Sequence, residues 1–381
     1  MKIDIITCHN IKNYGSVYQT YATQKLIEDL GYDVEVIDYQ RKDTANCELV
    51  ETRARQSEKI YPNVLLRTIL KIVIYPAIRK QIRVFEDFLG KYIHRTKNSY
   101  FSNEELKADC PKADVYLAGS DQIWNSSINE RIELPYFLDF VPENSILVSF
   151  STSFGKKELN PDEVDLTRKL LSRYKAISLR EESGHQIVEK LGIKNSVAVL
   201  DPTCLLSVDE WRAIQEPIKV PEKYILVYHL RPSHEFDEYV KYVSKEKGMK
   251  AIHILLYYHV MVHGQFGFVV PTPGQVQTLI DKATYIITDS FHMTSFSIKY
   301  HKQFIVMYPD NFSGRIENIL KKCGLEDRHQ TDYKDLLLLD KAIDYDEVDA
   351  KFEKEVDFAK KWLKDTLQKC EMEKENDTVS Q

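Results

Sequence analysis

The chain has 381 residues, too many for one ordinary hydrophobic core, and this length predicts two domains. Hydrophobic residues make up 43% and charged residues 29%, which is typical of globular proteins and excludes a largely disordered chain. The formal net charge of -6 argues against a nucleic-acid partner, because nucleic-acid-binding proteins usually carry a basic face.

Strands alternate with helices through the first half of the chain. A strand over 2–7 is followed by a helix, which Ser16 caps and Gly31 ends, and a second strand runs over 32–39. This βαβ pattern implies a parallel sheet. Similar patterns predict further strands over 114–118, 146–152, 176–179 and 196–200.

A second series of strands and helices follows Asp201–Thr203, where we predict a domain boundary. Its strands are predicted over 224–229, 250–256, 285–288 and 304–308. Two such series favour an α/β fold with two Rossmann-like domains. The predicted parts are an N-terminal domain over 1–203, a C-terminal domain over 204–345, a helix over 346–372 that can pack back on the N-terminal domain, and a disordered tail over 373–381.

The stretch 64–95 combines apolar bulk with seven basic and two acidic residues. It predicts a helical region broken at Pro76, after a polar loop over 41–60. Such a stretch can pack on the N-terminal domain with its basic residues solvated. Alternatively, it can lie on an anionic membrane surface as an interfacial helix.

Several common catalytic patterns are absent from the sequence. There is no G-x-G-x-x-G after the first strand, so a dinucleotide site is not predicted. There is no G-x-x-x-x-G-K-[ST] and no H-E-x-x-H, so neither a P-loop nor a metal site is predicted. The six cysteines lack C-x-x-C spacing, which argues against a zinc or redox pair. We expect reduced thiols in the cytoplasm, because no secretion signal precedes the first strand.

Three polar loops follow predicted strands, at the carboxyl ends where parallel sheets bind ligands. The first contains Asn13, Tyr14, Gly15 and Ser16. Gly15 permits a tight turn, and the helix that follows offers backbone N–H groups to a ligand. A plain turn between strand and helix is the alternative interpretation.

The second loop runs from Gly119 to Asn125. Asp121, Gln122 and Asn125 can hydrogen-bond sugar hydroxyls, and Trp124 can stack on the face of a sugar ring. The alternative is a capped loop in which Trp124 anchors the core of the domain.

The third loop, Asp289–Ser295, carries His292 where a strand ends and a helix begins. A helix start can bind an anion through its N–H groups and dipole. A histidine there can donate a proton near neutral pH, and a capping or packed imidazole is the alternative.

Arg180 follows the apolar strand over 176–179. A guanidinium at a strand end can clamp a phosphate or a carboxylate with paired N–H donors. A salt bridge with Glu181 or Glu182 is the alternative.

Six segments resemble motifs of the polysaccharide pyruvyl transferase family, in the order that the family shows. Residues 13–22 resemble N-Y-G-[AS]-x-x-Q-x-x-A, and residues 119–125 match G-S-D-Q-[VI]-W-N. The other four are 180–183 (R-[DE]-x-S), 201–206 (D-P-T-x-L-L), 288–292 (T-D-S-F-H) and 315–320 (R-[FI]-x-x-[IL]-L). The resemblance covers the chain from its start to about residue 328.

This resemblance implies two Rossmann-like domains facing a cleft, the GT-B-like architecture of many glycosyltransferases. It implies a transferase whose donor is phosphoenolpyruvate and whose product is a pyruvate ketal on two sugar hydroxyls, without a metal or other cofactor. The acceptor is then a sugar of a bacterial cell-surface polysaccharide or of its lipid-linked precursor. The implied location is the cytoplasm, with the inner face of the membrane as an alternative.

The resemblance also implies roles for individual residues, with His292 as the general acid. Donor-binding residues are expected at Arg180, Ser290, Thr294 and Arg315. Acceptor-binding residues are expected at Asn13, Tyr14, Gly15, Ser16, Asp121, Gln122, Trp124 and Asn125. Met293 departs from the family, which usually has glycine there, and its side chain is expected to narrow the approach to the donor. A nucleotide-sugar glycosyltransferase of the same fold and a catalytically silent glycan-binding relative are the alternative functions.

Overall fold

The computed structural model describes residues 1–57, 60–231, 233–256, 266–308, 314–331 and 335–379. By packing, the chain divides into two compact units. The first comprises Met1–Arg41, Tyr92–Leu206 and Ala350–Gln381, and the second comprises Lys42–Lys91 and Ser207–Asp349.

A seven-stranded parallel sheet forms the centre of the first unit. Its strands are β1 (Lys2–Ile6), β2 (Asp33–Tyr39), β3 (Arg95–Tyr100), β4 (Val115–Ala118), β5 (Ile146–Thr152), β6 (Tyr174–Leu179) and β7 (Ser196–Ala198). They lie in the order β3-β2-β1-β4-β5-β6-β7, so the strand order reverses between β1 and β4. The central strands β1, β4 and β5 are almost entirely buried, as expected of a parallel sheet that helices cover on both sides.

The second unit contains a five-stranded parallel sheet. Its strands are β8 (Tyr224–Tyr228), β9 (Lys250–Leu255), β10 (Gly267–Val269), β11 (Tyr285–Thr288) and β12 (Gln303–Val306). Their order is β10-β9-β8-β11-β12, and the strand order reverses between β8 and β11. The two sheets confirm the predicted α/β class with two Rossmann-like units.

Helices connect the strands of both sheets. In chain order they are α1 (Tyr14–Glu28), α2 (Leu49–Arg55), α3 (Val64–Tyr92), α4 (Asn103–Ala108), α5 (Ser126–Asn129), α6 (Val164–Leu171), α7 (Glu182–Lys190), α8 (Val208–Arg212), α9 (His234–Lys247), α10 (Pro273–Lys282), α11 (Phe291–Lys299), α12 (Gly314–Cys323), α13 (Leu337–Asp340) and α14 (Tyr345–Val379). None of the described helices is long and apolar enough to cross a bilayer.

The region between β2 and β3 differs from its prediction. Residues 42–91 were expected in the N-terminal domain, but they pack with the second unit. The helix α3 runs through Pro76 without the predicted break, because Ile74 and Ile78 are buried on either side of the proline and hold the helix in place. The polar strand β3 and the short helix α2 carry too weak an apolar pattern to be predicted.

The end of the chain also differs from its prediction. The helix α14 continues to Val379, so the described part of the expected disordered tail is helical. Trp362 of α14 stacks on Phe150 of β5 with ring centroids 6.2 Å apart. This contact, made within the first unit, anchors the helix before it reaches the tail.

Candidate functional site

The first candidate site lies where β1 and β4 end side by side. Connections leave these neighbouring strands towards opposite edges of the sheet, which opens a crevice at their carboxyl ends. Ser16, in the first turn of α1, donates a hydrogen bond to Oδ2 of Asp121 at 3.2 Å, and Cys8 Sγ lies 3.3 Å from the same oxygen. The first and second predicted loops therefore meet at the Asp121 carboxylate.

The first predicted loop forms the capped start of α1. Asn13 is the N-cap residue, and its side chain accepts a hydrogen bond from the N–H of Gly15 at 2.8 Å. Tyr14 is buried. The loop thus presents the Ser16 hydroxyl to Asp121, while the contacts of Asn13 with the acceptor stay a prediction.

Asp121 adopts a backbone conformation that is uncommon outside glycine. Its φ is 75°. Its Oδ1 accepts from the N–H of Gln122 at 2.9 Å, and its carbonyl accepts from the N–H of Ser153 at 3.0 Å. Backbone strain of this kind persists where the surrounding contacts hold the residue, and it is concentrated at functional sites. These contacts fix the direction in which the carboxylate points.

Gln122 and Asn125 form a hydrogen bond with each other. Asn125 Nδ2 donates to Gln122 Oε1 at 2.7 Å, and Asn125 Oδ1 accepts from the N–H groups of Ser127 and Ile128 at 3.0 and 3.3 Å. Asn125 is fully buried. The prediction that Asn125 contacts the acceptor is therefore corrected, because its amide caps α5 instead.

Gly155 completes this loop, although no motif of the sequence indicates it. Its φ is 62°, and a Cβ at this position would overlap the side chains of Gln122 and Asn125. Its N–H donates to Ser153 Oγ at 3.0 Å. A glycine shortly after a strand is the local signal, and that signal is too common in sequences to be informative.

Trp124 lies inside the core of the first unit and is 2% exposed. Its ring stacks on Phe137 with centroids 5.3 Å apart, and it also contacts Phe154 and Tyr174. Its Nε1–H donates to the carbonyl of Tyr136 at 3.0 Å. The predicted stacking of Trp124 on a sugar is therefore corrected, because these aromatic neighbours cover the ring.

Trp124→Phe is expected to lower the free energy of unfolding by about 1–3 kcal/mol. The smaller ring leaves a cavity and leaves the buried Tyr136 carbonyl without its donor. Urea unfolding measures this loss, and the KM for the acceptor should stay near the wild-type value in the same preparation. A higher KM with unchanged stability would contradict the packing role and restore the sugar contact.

Arg180 is buried and surrounded by carboxylates. Its guanidinium donates to Asp201 Oδ2 at 3.0 Å and to Asp121 Oδ1 at 3.3 Å, and its Nε lies 3.8 Å from Glu181 Oε2. Burial acts to lower the pKa of Arg180, but the charges of the three carboxylates outweigh burial and raise it above its usual value. The salt bridge with Glu181, one of the alternatives of the sequence analysis, is present, and Asp121 and Asp201 lie closer to the guanidinium than Glu181 does.

Asp201, the first residue of the D-P-T segment, lies closer to the Arg180 guanidinium than Asp121 and Glu181 do. Its Oδ2 also accepts from Ser120 Oγ at 2.9 Å, and its Oδ1 accepts from the N–H and the hydroxyl of Thr203 at 2.9 and 2.6 Å. Its position directly after the predicted strand over 196–200 could have indicated a site role. Because the guanidinium of Arg180 is already paired with these acidic groups, its direct binding to the donor stays a prediction.

The second candidate site lies where β8 and β11 end side by side, at the reversal of strand order in the second sheet. Asp289 follows β11 and accepts from the N–H groups of Leu230 and Arg231 at 2.8 and 3.1 Å. Burial raises the pKa of Asp289 to about 6, against the opposing effect of these hydrogen bonds. The carboxylate thus joins the loops that follow the two strands.

The residues around His292 form the start of α11. The Ser290 side chain accepts from the N–H of Met293 at 3.4 Å, and the Thr294 hydroxyl donates to the Ser290 carbonyl at 2.9 Å. Ser290 and Thr294 are buried and their hydroxyls help to form the start of the helix, and their contacts with the donor stay a prediction. Met293 is also buried, and its effect on the approach of the donor stays a prediction.

His292 and Arg315 both contact one aromatic ring. The partly exposed His292 packs edge-to-face on Phe291 with centroids 5.1 Å apart. The guanidinium carbon of Arg315, at the start of α12, lies 5.7 Å from the centroid of the same ring. A proton-donating side chain and a cation therefore occur together at the N-termini of two helices, where negative charge is favoured.

His229 is a further member of the second site that sequence reasoning missed. It follows β8, stacks on Phe236 with centroids 4.0 Å apart, and lies 3.9 Å from both Asp237 and Asp289. Burial, with a smaller effect of His253, lowers the pKa of His229 to about 4. The imidazole is therefore neutral at pH 7 and acts here as a packed ring.

Solved structures share this fold at low sequence identity. S. aureus MnaA, solved with UDP, is 10% identical with a TM-score of 0.51, and the match covers 89% of this chain and 85% of that chain. The UDP-GlcNAc 2-epimerase of Neisseria meningitidis, solved with UDP-GlcNAc, is 12% identical with a TM-score of 0.50, covering 97% of this chain and 100% of that chain. These similarities show a GT-B-like fold. No curated protein gives a significant sequence match.

A family model covers most of the sequence. The model described as polysaccharide pyruvyl transferase matches residues 13–311. The match begins at Asn13 and includes Asp121, Arg180 and His292, whereas Arg315 lies beyond its end. The match contains five of the six motif segments and ends before the sixth, at 315–320. The resemblance to the family is thereby confirmed, and the chain belongs to the polysaccharide pyruvyl transferase family.

Proposed function

We propose that this enzyme transfers a pyruvyl group from phosphoenolpyruvate to two hydroxyls of a sugar, forming a cyclic ketal and releasing phosphate. The observation that carries the proposal is the pairing of His292 and Arg315 around Phe291, in a chain of this family. A small anionic enol phosphate requires a proton donor and a cation. The acceptor is a sugar of a bacterial cell-surface polysaccharide or of its lipid-linked precursor, at the cytoplasmic side of the membrane.

The donor carries two anionic groups, a phosphate and a carboxylate. The N-terminus of α11 favours negative charge through the helix dipole, and Arg315 adds a guanidinium that can donate paired hydrogen bonds. Arg180 is a further proposed contact of the donor. No metal or other cofactor is needed for this binding.

The proposed reaction begins with proton transfer from His292 to the methylene carbon of the donor, which becomes the methyl group. The neighbouring carbon becomes electrophilic, and the oxygen of the first sugar hydroxyl bonds to it. The bond from this carbon to the phosphate oxygen then breaks, and the second hydroxyl adds to close the ketal. Of the two hydroxyl protons, one restores His292 and the other leaves with phosphate, so the reaction balances.

The acceptor is proposed to bind at Ser16, Asp121 and Gln122. These polar side chains lie at the carboxyl ends of β1 and β4, and Asp121 is partly exposed there. Trp124 and Asn125 are not part of this proposal, because aromatic rings cover Trp124 and the side chain of Asn125 caps α5.

Phosphate release from phosphoenolpyruvate tests the proposal directly. We expect release that depends on an added glycoside, together with a new methyl signal of the ketal in the proton NMR spectrum. A nucleotide-sugar glycosyltransferase would instead be stabilised in thermal unfolding by UDP-GlcNAc and not by phosphoenolpyruvate. A silent glycan-binding protein would bind the glycoside and release no phosphate.

A further inference from the structure

The first half of α3 exposes a row of apolar side chains. Leu65, Ile69 and Ile72 recur at helical spacing and are 70%, 49% and 68% exposed, and Val64 and Val73 beside them are also exposed. We call these five residues the apolar face. Contiguous exposed apolar patches are rare on monomeric soluble proteins and usually mark a surface that binds a partner.

The second half of the same helix is packed. Ile74 and Ile78 form a small core with Leu49 and Ala54 of α2, and Gln81 donates to the carbonyl of Leu256 at 2.6 Å. The second unit thus holds α3 firmly by one half while the other half projects its apolar residues. One half of α3 is therefore packed, with the second unit and not with the N-terminal domain as the sequence analysis allowed, and the other half is exposed.

The charges that α3 itself carries beside the apolar face are basic, although Glu51 of α2 pairs with Lys71. No acidic residue occurs from 64 to 85, and the exposed side of α3 continues beyond Ile72 with Arg79 and Arg83. An arginine can extend along an apolar surface while its guanidinium stays at the level of polar headgroups. We infer that the apolar face, with Arg79 and Arg83, binds the surface of an anionic lipid bilayer, with α3 lying in the plane of the interface.

A second copy of this chain is a poorer partner for the same face. Self-association would bring two basic helices together, and neither helix has an acidic residue between 64 and 85 to pair with Arg79 or Arg83. An anionic bilayer satisfies both features, because its headgroups neutralise the arginines and its acyl chains cover the apolar residues. The inference is independent of the proposed reaction, since it concerns binding without substrates.

Co-sedimentation of the full-length chain with vesicles tests the inference. We expect binding to vesicles of equal parts phosphatidylglycerol and phosphatidylcholine, and none to pure phosphatidylcholine. Binding should weaken between about 0.1 M and about 1 M salt, because the Debye length falls from about 10 Å to about 3 Å.

Replacing the apolar face tests its part in binding. Leu65→Gln, Ile69→Gln and Ile72→Gln combined should lower the vesicle partition coefficient by about 30-fold or more, because less apolar surface is removed from water. The fold should survive, since these side chains are largely exposed. The matched control combines Leu166→Gln, Phe358→Gln and Met372→Gln, three exposed apolar residues elsewhere, and should bind as the wild type does.

Replacing the arginines tests the electrostatic part. Arg79→Gln with Arg83→Gln should lower the partition coefficient by about 25-fold, since each basic residue near an anionic surface contributes roughly a fivefold factor. Lys354→Gln with Lys360→Gln on α14 changes the net charge equally and should leave binding unchanged.

Three results would overturn the inference. The first is a wild-type chain that does not sediment with the anionic vesicles at low salt. The second is wild-type binding by the triple glutamine variant of the apolar face. The third is light scattering that shows a wild-type dimer which the same variant dissociates, because a second copy would then be the partner.

Discussion

His292→Ala is expected to lower kcat roughly 10²–10⁴-fold, the usual contribution of a general acid. The imidazole supplies the proton that makes the donor electrophilic in the proposed reaction. Its side chain is partly exposed on the first turn of α11, so its removal should leave no cavity in the core. Phosphate release gives kcat, calorimetry gives the Kd for phosphoenolpyruvate, and thermal unfolding gives Tm, with the last two expected near their wild-type values.

His234→Ala is the matched control for this prediction. His234 also lies in the first turn of a helix with a serine N-cap, Ser233, and it belongs to the same unit. Its replacement should leave kcat and Kd unchanged. Near wild-type phosphate release by His292→Ala would assign the proton transfer to another group.

Arg180→Met is expected to lower the free energy of unfolding by about 3–5 kcal/mol. Removing one partner of a buried ion pair leaves the other charges in a medium of low polarity, and here Asp121, Asp201 and Glu181 all lose their cation. Arg180→Lys should recover part of this loss, since an ammonium keeps the charge but cannot reproduce the paired geometry. Urea unfolding of the three proteins measures these differences.

Lys190→Met provides the control for a lost ion pair. Lys190 pairs with Glu158 at the surface of the first unit, and exposed pairs typically contribute under about 1 kcal/mol. If Arg180→Met instead keeps the wild-type stability and loses affinity for phosphoenolpyruvate, Arg180 is a donor contact with little structural role.

The sheets were largely predictable because their signals are local. Each buried strand of a parallel sheet is a short apolar run bounded by turn residues, and runs of this kind predicted β1, β4, β5 and β6 close to their observed bounds. The polar edge strand β3 and the three-residue strand β10 have no such run. These two segments become strands because they pair with β2 and β9, and the sequence of each segment alone does not show that pairing.

The sheet edge at which each site residue lies was also predictable. Residues after parallel strands lie at the carboxyl edge of a sheet, so the order of the strands already assigned Asp121 and His292 to such edges. Which side chains face outward at that edge was not predictable. Trp124 belongs to a loop whose pattern fits a sugar site, yet it is buried because Phe137 and Tyr174 pack against it from later parts of the chain.

The sequence by itself thus determined the α/β class, the two series of strands and the family, because periodicity, turn residues and motif order are properties of neighbouring residues. Tertiary structure alone decided that Arg180 joins Asp121 and Asp201, residues 59 and 21 positions away from it. It also decided that α3 packs one half and exposes the other. Burial and ion pairing depend on distant segments brought together by folding, and no local pattern specifies which segment will cover a given side chain.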